Sequence, residues 1–134
     1  VSELSLIFRV GTMLCALPLG EVVELMRPLP IQPLAGSPHY VRGVSVVRGT
    51  AVPVLDLGRL LGDFDTAAER FISTKAGGVL AIGAVVGVRD VRPEPGRETP
   101  SMGGVVAAVG VLDAEPLMFL DPDGVTRTVA AYAG

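Results

Sequence analysis

Glycine and proline punctuate this chain so densely that no long regular element fits between them: 17 Gly and 11 Pro in 134 residues. The stretches between them are short, rich in Val and Leu, and bounded by turn residues, which is the pattern of short strands. Leu4 to Val10 and Met13 to Leu17 flank Gly11-Thr12 and read as a hairpin. Gly43 to Arg48 and Ala51 to Leu55 flank Gly49-Thr50, the strongest hairpin signal in the chain. Glu21 to Met26 fits either a strand or a helical turn. Leu29 to Ser37 is crowded by Pro28, Pro30, Pro33, Gly36 and Pro38, so it reads as an irregular connector. Leu57 to Leu61 suggests a single helical turn closed by Gly62.

The window Asp63 to Arg70 is the most polar of the first half and reads as a link. Beyond it the strand pattern restarts with Phe71 to Lys75, Val79 to Val86 and Gly87 to Val91. Arg92 to Met102, with Pro93, Pro95, Gly96 and Pro100, forms a second breaker-rich connector. Strands follow near Val105 to Leu112 and Leu117 to Leu120 around a turn at Asp113-Ala114. A last short helix is expected over Val125 to Tyr132, with Asp123 as its cap. The halves thus share one plan: hairpin, Pro-rich connector, hairpin, short helix. This predicts an all-β chain of two small barrels, the first about residues 8–65 and the second about 66–120, with residues 1–7 and the C-terminal segment contributing. Units of about 65 residues are marginal alone, so they should pack on a shared apolar core and leave a groove between them.

Composition removes several function classes. Hydrophobic residues make up 49% and charged residues 19%, which opposes disorder. A net charge of −3, no basic stripe and no Trp oppose nucleic-acid binding. The apolar runs Val79 to Val88 and Met102 to Leu112 are too short to span a membrane, which takes roughly 20 residues. They read as buried strands, and no direct membrane insertion is expected. The lone Cys15 cannot form an internal disulfide, and no signal-peptide pattern opens the chain. Both point to a cytoplasmic protein. His39 is the only histidine, so neither a catalytic triad nor a zinc site can be assembled readily. Asp121-Pro122-Asp123-Gly124 lacks the closing Glu of a calcium loop. No phosphate-binding glycine motif is present. No metal and no cofactor is therefore expected. One enzymatic alternative arises at Val54-Leu55-Asp56-Leu57-Gly58, which resembles the Asp-Thr/Ser-Gly signature of retroviral-type aspartic proteases. Leu57, however, stands where a hydroxyl should support the carboxylate.

The window Ser37 to Leu61, SPHYVRGVSVVRGTAVPVLDLGRLL, carries Pro38, Gly43, Arg48-Gly49, Val52-Pro53-Val54 and Asp56-Leu57. In that order it resembles the central signature of the CheW family of chemotaxis adaptors. Phe8 to Arg27, with Gly11 and Glu24, is similar to the family's opening. Val85-Val86-Gly87-Val88-Arg89-Asp90-Val91 is similar to its later strand pair. Val86 replaces a family Asp and Met26 a frequent polar residue. The resemblance implies two SH3-like five-stranded barrels around a shared hydrophobic core and no catalysis. It implies an adaptor between the cytoplasmic tip of a chemoreceptor and the regulatory domain of a CheA-type histidine kinase, in receptor arrays at the inner membrane. A stand-alone regulator that competes with the main adaptor is the alternative within the family. The receptor-binding residues carried over are Val22, Glu24, Gly43, Arg48, Gly49 and Gly87. Pro53 and Asp56 are structural, with Asp56 ending its strand and capping the Leu57 turn. Glu24 is the candidate carboxylate for the Arg48 guanidinium. Val22 and Val23 are candidates for apolar surface offered to the receptor, with core filling by one of them the other reading.

Overall fold

The computed structural model describes residues 4–92 and 104–133. Among these residues ten strands and two helices follow in chain order: β1 (Leu4–Val10), β2 (Met13–Pro18), a 3-10 turn (Leu19–Glu21), β3 (Val22–Met26), β4 (Val41–Val47), β5 (Thr50–Asp56), α1 (Leu57–Gly62), β6 (Arg70–Thr74), β7 (Val79–Ile82), β8 (Val85–Asp90), β9 (Val106–Leu112), β10 (Glu115–Leu120) and α2 (Pro122–Ala133). They form two five-stranded sheets, in the orders β8-β1-β2-β10-β9 and β3-β6-β7-β5-β4. The all-β, two-sheet expectation holds. Most of the second connector, residues 93–103, lies outside the described residues.

The strands do not sort by sequence half, which corrects the expected division near residue 65. The first sheet takes the β1–β2 hairpin from one half and β8, β9 and β10 from the other. The second takes β3, β4 and β5 from the first half and the β6–β7 hairpin from the second. Each half therefore lends its first hairpin to the other half's barrel. The chain changes sheets at two equivalent places. At the first, Lys75 N–H donates to the Glu21 carbonyl at 3.1 Å. At the second, Gly83 N–H donates to the Arg9 carbonyl, and Arg9 N–H to that of Ala84, both at 2.8 Å. This second crossing splits the apolar run from Val79 into two strands. A Cβ at Gly83 would stand 2.8 Å from the Arg9 carbonyl oxygen, so only glycine lets the chain pass.

Strand alternation distributes side chains over three cores. Leu14 and Ala16 of β2 point into the first barrel with Ile7 and Leu117. Val79 and Ala81 of β7 point into the second with Val54 and Phe71. The intervening Cys15, Leu17, Leu80 and Ile82 meet Phe8 and Leu55 in a larger core between the barrels. With both faces buried, β1, β2 and β7 read as nearly unbroken apolar runs, whereas the edge strands β3 and β8 keep one face open.

Both helices start directly after a Leu-Asp pair whose Leu lies at the end of a strand. Asp56 caps α1 by accepting from Arg59 N–H at 3.1 Å. In α2 the helix opens at Pro122, and Asp121 accepts from Asp123 N–H at 3.0 Å. The cap is thus Asp121 rather than the expected Asp123, because Pro122 takes the first helical position, where its missing N–H costs nothing.

Candidate functional site

The residues singled out by sequence gather mainly around one barrel. β3 and β4 are opposite edges of the second sheet. The chain between them closes onto β4: Gln32, in the Pro-rich connector, exchanges backbone hydrogen bonds with Val44 at 2.8 and 2.9 Å. Gly43 makes this closure feasible. It sits at a bulge with φ of 147°, and a Cβ there would overlap the Gln32 carbonyl. Pro53 is buried opposite Val44. Since the N–H and C=O of Val44 turn toward Gln32, the pairing at that step asks no donor of Pro53.

The turn that joins β4 to β5 holds Arg48 at φ 49° and Gly49 at φ 81°. Two successive positive φ values make it a type I′ turn, whose twist suits a two-residue hairpin. The turn aims Arg48 across the barrel seam at Glu24 on β3. Nε and Nη2 donate to Glu24 Oε1 at 3.1 and 2.9 Å. The Arg48 side chain is 75% exposed and that of Glu24 36%, so the pair is open to solvent and to a partner's charges. Burial alternates along β3. Val22 is half-buried and packs against the central core, while Val23 is 60% and Leu25 40% exposed. Of the two valines, Val23 therefore faces out. Met26 fills the second barrel's interior.

Gly87 lies apart from this cluster, on β8 at the edge of the first sheet, opposite Ile7. Its φ is 150°, and no atom lies within 4 Å of where a Cβ would stand. The two edge strands occupy equivalent positions. Val22-Val23 flanks a bulge against β6, and Val85-Val86 flanks one against β1. Val86 and Val88 are about as exposed as Leu25. The register pairs Val88 with Leu6 and Leu25 with Ile72, both residues of the central core. Each barrel thus offers an apolar edge that borders the shared core. Leu25 and Val88 escaped the sequence reading, although the strand alternation around the identical Val-Val pairs was the signal for them.

Asp56 has no exposed surface. Its carboxylate accepts from Thr66 Oγ1 at 2.6 Å, from Thr66 N–H at 3.1 Å, from Arg59 N–H at 3.1 Å and from Arg42 Nε at 2.8 Å. Burial alone would raise its pKa. The bonds from Thr66 and Arg42, the Arg59 N–H and the Arg42 charge outweigh it and hold the carboxyl below its ordinary value. A carboxylate so enclosed and saturated is not placed to activate a water for proteolysis. Arg42 and Thr66 were not singled out by sequence. A buried Asp needs a cation, and the β4–β5 register that sets Val41 opposite Leu55 would have pointed to Arg42.

The remaining reactive candidates are separate. Burial pushes the Cys15 thiol up to about 12, so it stays protonated and inert. His39 is exposed, with Nε2 3.2 Å from the Arg59 carbonyl oxygen and 3.3 Å from Asp63. Among the described residues no group of three His, Cys, Asp or Glu side chains is placed to hold a metal ion, and no helix is long and apolar enough to cross a membrane.

Comparison with known proteins agrees with this fold. The sequence pattern of the CheW-like domain matches residues 5–130. Protein FrzA of Myxococcus xanthus is 32% identical over 116 residues, covering 80% of this chain and 72% of FrzA. The crystal structure of the scaffolding protein TtCheW from Thermoanaerobacter tengcongensis superposes with a TM-score of 0.76 over 90% of each chain, at 20% identity, which establishes the shared two-barrel fold.

Proposed function

The chain belongs to the CheW-like domain family, and from that premise we propose that it is a non-catalytic cytoplasmic adaptor joining a chemoreceptor's cytoplasmic tip to the regulatory domain of a CheA-type histidine kinase. The observation that carries this reading is the solvent-open Glu24–Arg48 pair flanked by exposed Val23 and Leu25 on a barrel edge. Apolar surface beside a charge pair suits docking, because the apolar part supplies affinity and the charges fix register. In this role the surfaces between and beside the barrels grip an antiparallel helical hairpin, and a barrel edge meets the kinase. Each contact is weak alone, and arrays make them effective by raising local concentration.

The test is a pull-down with a receptor-tip fragment and a kinase regulatory domain, comparing wild type with Arg48→Ala. Loss of receptor capture by a folded variant supports the reading; undiminished capture removes Arg48 from the docking site. A reconstituted receptor–kinase assay then separates coupling, read as kinase activation, from competition with another adaptor, read as inhibition.

A further inference from the structure

The exchange of hairpins between halves has a consequence for association. One segment, residues 63–69, joins the first half (β1 to α1) to the second (β6 to α2). Its first part is fastened to the first half. The Phe64 ring lies over three glycines, so that a Cβ at Gly11, Gly58 or Gly62 would come within 2.9 Å of it. Asp65 accepts from Arg59 Nε at 2.8 Å. Thr66 is held by the Asp56 carboxylate, and its Oγ1 accepts from Gly58 N–H at 2.7 Å. Its last part belongs to the second half: Glu69 N–H donates to the Ile82 carbonyl at 2.9 Å. Only Ala67 and Ala68 lie between these anchorages.

We propose that this strap is the latch that keeps the chain closed on itself, and that when it is undocked the halves exchange with a second copy of the same chain. In such a dimer the pairings that join the two halves, β1–β8, β2–β10, β3–β6 and β5–β7, would be made between chains instead of within one, while the hairpins inside each half stay as they are, so the contacts of the barrels cancel between the two forms. What differs is the strap. Two residues cannot span two molecules, so exchange must free Phe64, Asp65 and Thr66 from the first half. Those three anchorages, set against the entropy of association, decide the balance. The inference rests on topology and is independent of the adaptor role.

Disulfide trapping in the full chain tests it. Leu4 and Asp90 are exposed, face each other on β1 and β8, and come from different halves. Neighbours in this register stand within disulfide reach. A Cys15→Ala chain carrying Leu4→Cys and Asp90→Cys would be unfolded, refolded at high concentration and oxidised. With the native strap, the bond should form within one chain. Deleting Ala67 and Ala68 should convert most of the protein into disulfide-linked dimers with native β-sheet circular dichroism. Phe64→Ala should raise the dimer share by about tenfold, as loss of one half-buried aromatic contact implies. If the deletion prevents folding, Phe64→Ala decides alone. Monomers with internal disulfides in the variants, or dimers whose disulfides lie within each chain, would overturn the proposal.

Discussion

Arg48 reaches across the seam of the second barrel and donates two hydrogen bonds to a single oxygen of Glu24, joining the hairpin turn of one sheet edge to the strand of the other. Because both side chains are exposed, the pair contributes about 0.2–1 kcal/mol to stability at most. The proposed docking role therefore predicts that the pair can be removed with little effect on the fold.

Arg48→Ala and Glu24→Ala should therefore each leave the unfolding free energy within about 1 kcal/mol of wild type. Chemical denaturation of the singles and the double gives their coupling. A loss of several kcal/mol from either would make the pair a structural clamp and weaken the docking assignment.

Asp56→Asn should behave oppositely. Removing the charge leaves Arg42 without its carboxylate in a part-buried site, at a cost of about 3 kcal/mol or more. Thr66→Val, which removes the Oγ1 donor, should cost about 1–3 kcal/mol. Denaturant midpoints at neutral pH measure both.

The same carboxylate predicts an acid-sensitive fold. Its pKa is lowered in the folded state, so the stability it contributes is complete above the ordinary Asp value of about 3.9 and is lost as pH falls through the lower folded value. Glu115, whose pKa is lowered chiefly by its hydrogen bonds from Arg9, acts in the same sense. Wild-type stability should decline from about pH 4 downward, and Asp56→Asn should show a shallower decline. Equal slopes in the two proteins would exclude Asp56 as a source.

Two glycines with similar φ should respond unequally to alanine. Gly43→Ala meets both unfavourable φ and the Gln32 carbonyl, and should lose about 3 kcal/mol or more. Gly87→Ala meets open space and bears only the backbone strain, about 1–3 kcal/mol. Thermal unfolding of both variants compares them, and equal losses would mean that the close approach at Gly43 is relieved by movement of the connector.

The β9–β10 turn carries Asp113 at φ 50° and Ala114 at φ 66°, the counterpart of Arg48-Gly49. Ala is strained where Gly49 is not, so Ala114→Gly should stabilise the protein by about 0.5–1 kcal/mol. A lower melting temperature in that variant would contradict this account of the turn.

Much of the architecture was legible before any coordinates. Short apolar runs between glycines and prolines marked the strands, the Gly49 turn marked its hairpin, and the two halves announced the same order of elements. Those signals are local: they follow from backbone freedom and from the two-residue period of a strand. Sheet membership was not legible. A period of two reports that a residue is buried but not behind which strand, and β1 meets β8 across most of the chain's length. The interleaved barrels, the strap and the exposure of Val23 rather than Val22 were decided only when distant strands paired. The Asp56 network likewise needed Thr66 and Arg42 brought together from separate segments by packing, because a buried charge finds its partners in space rather than in sequence.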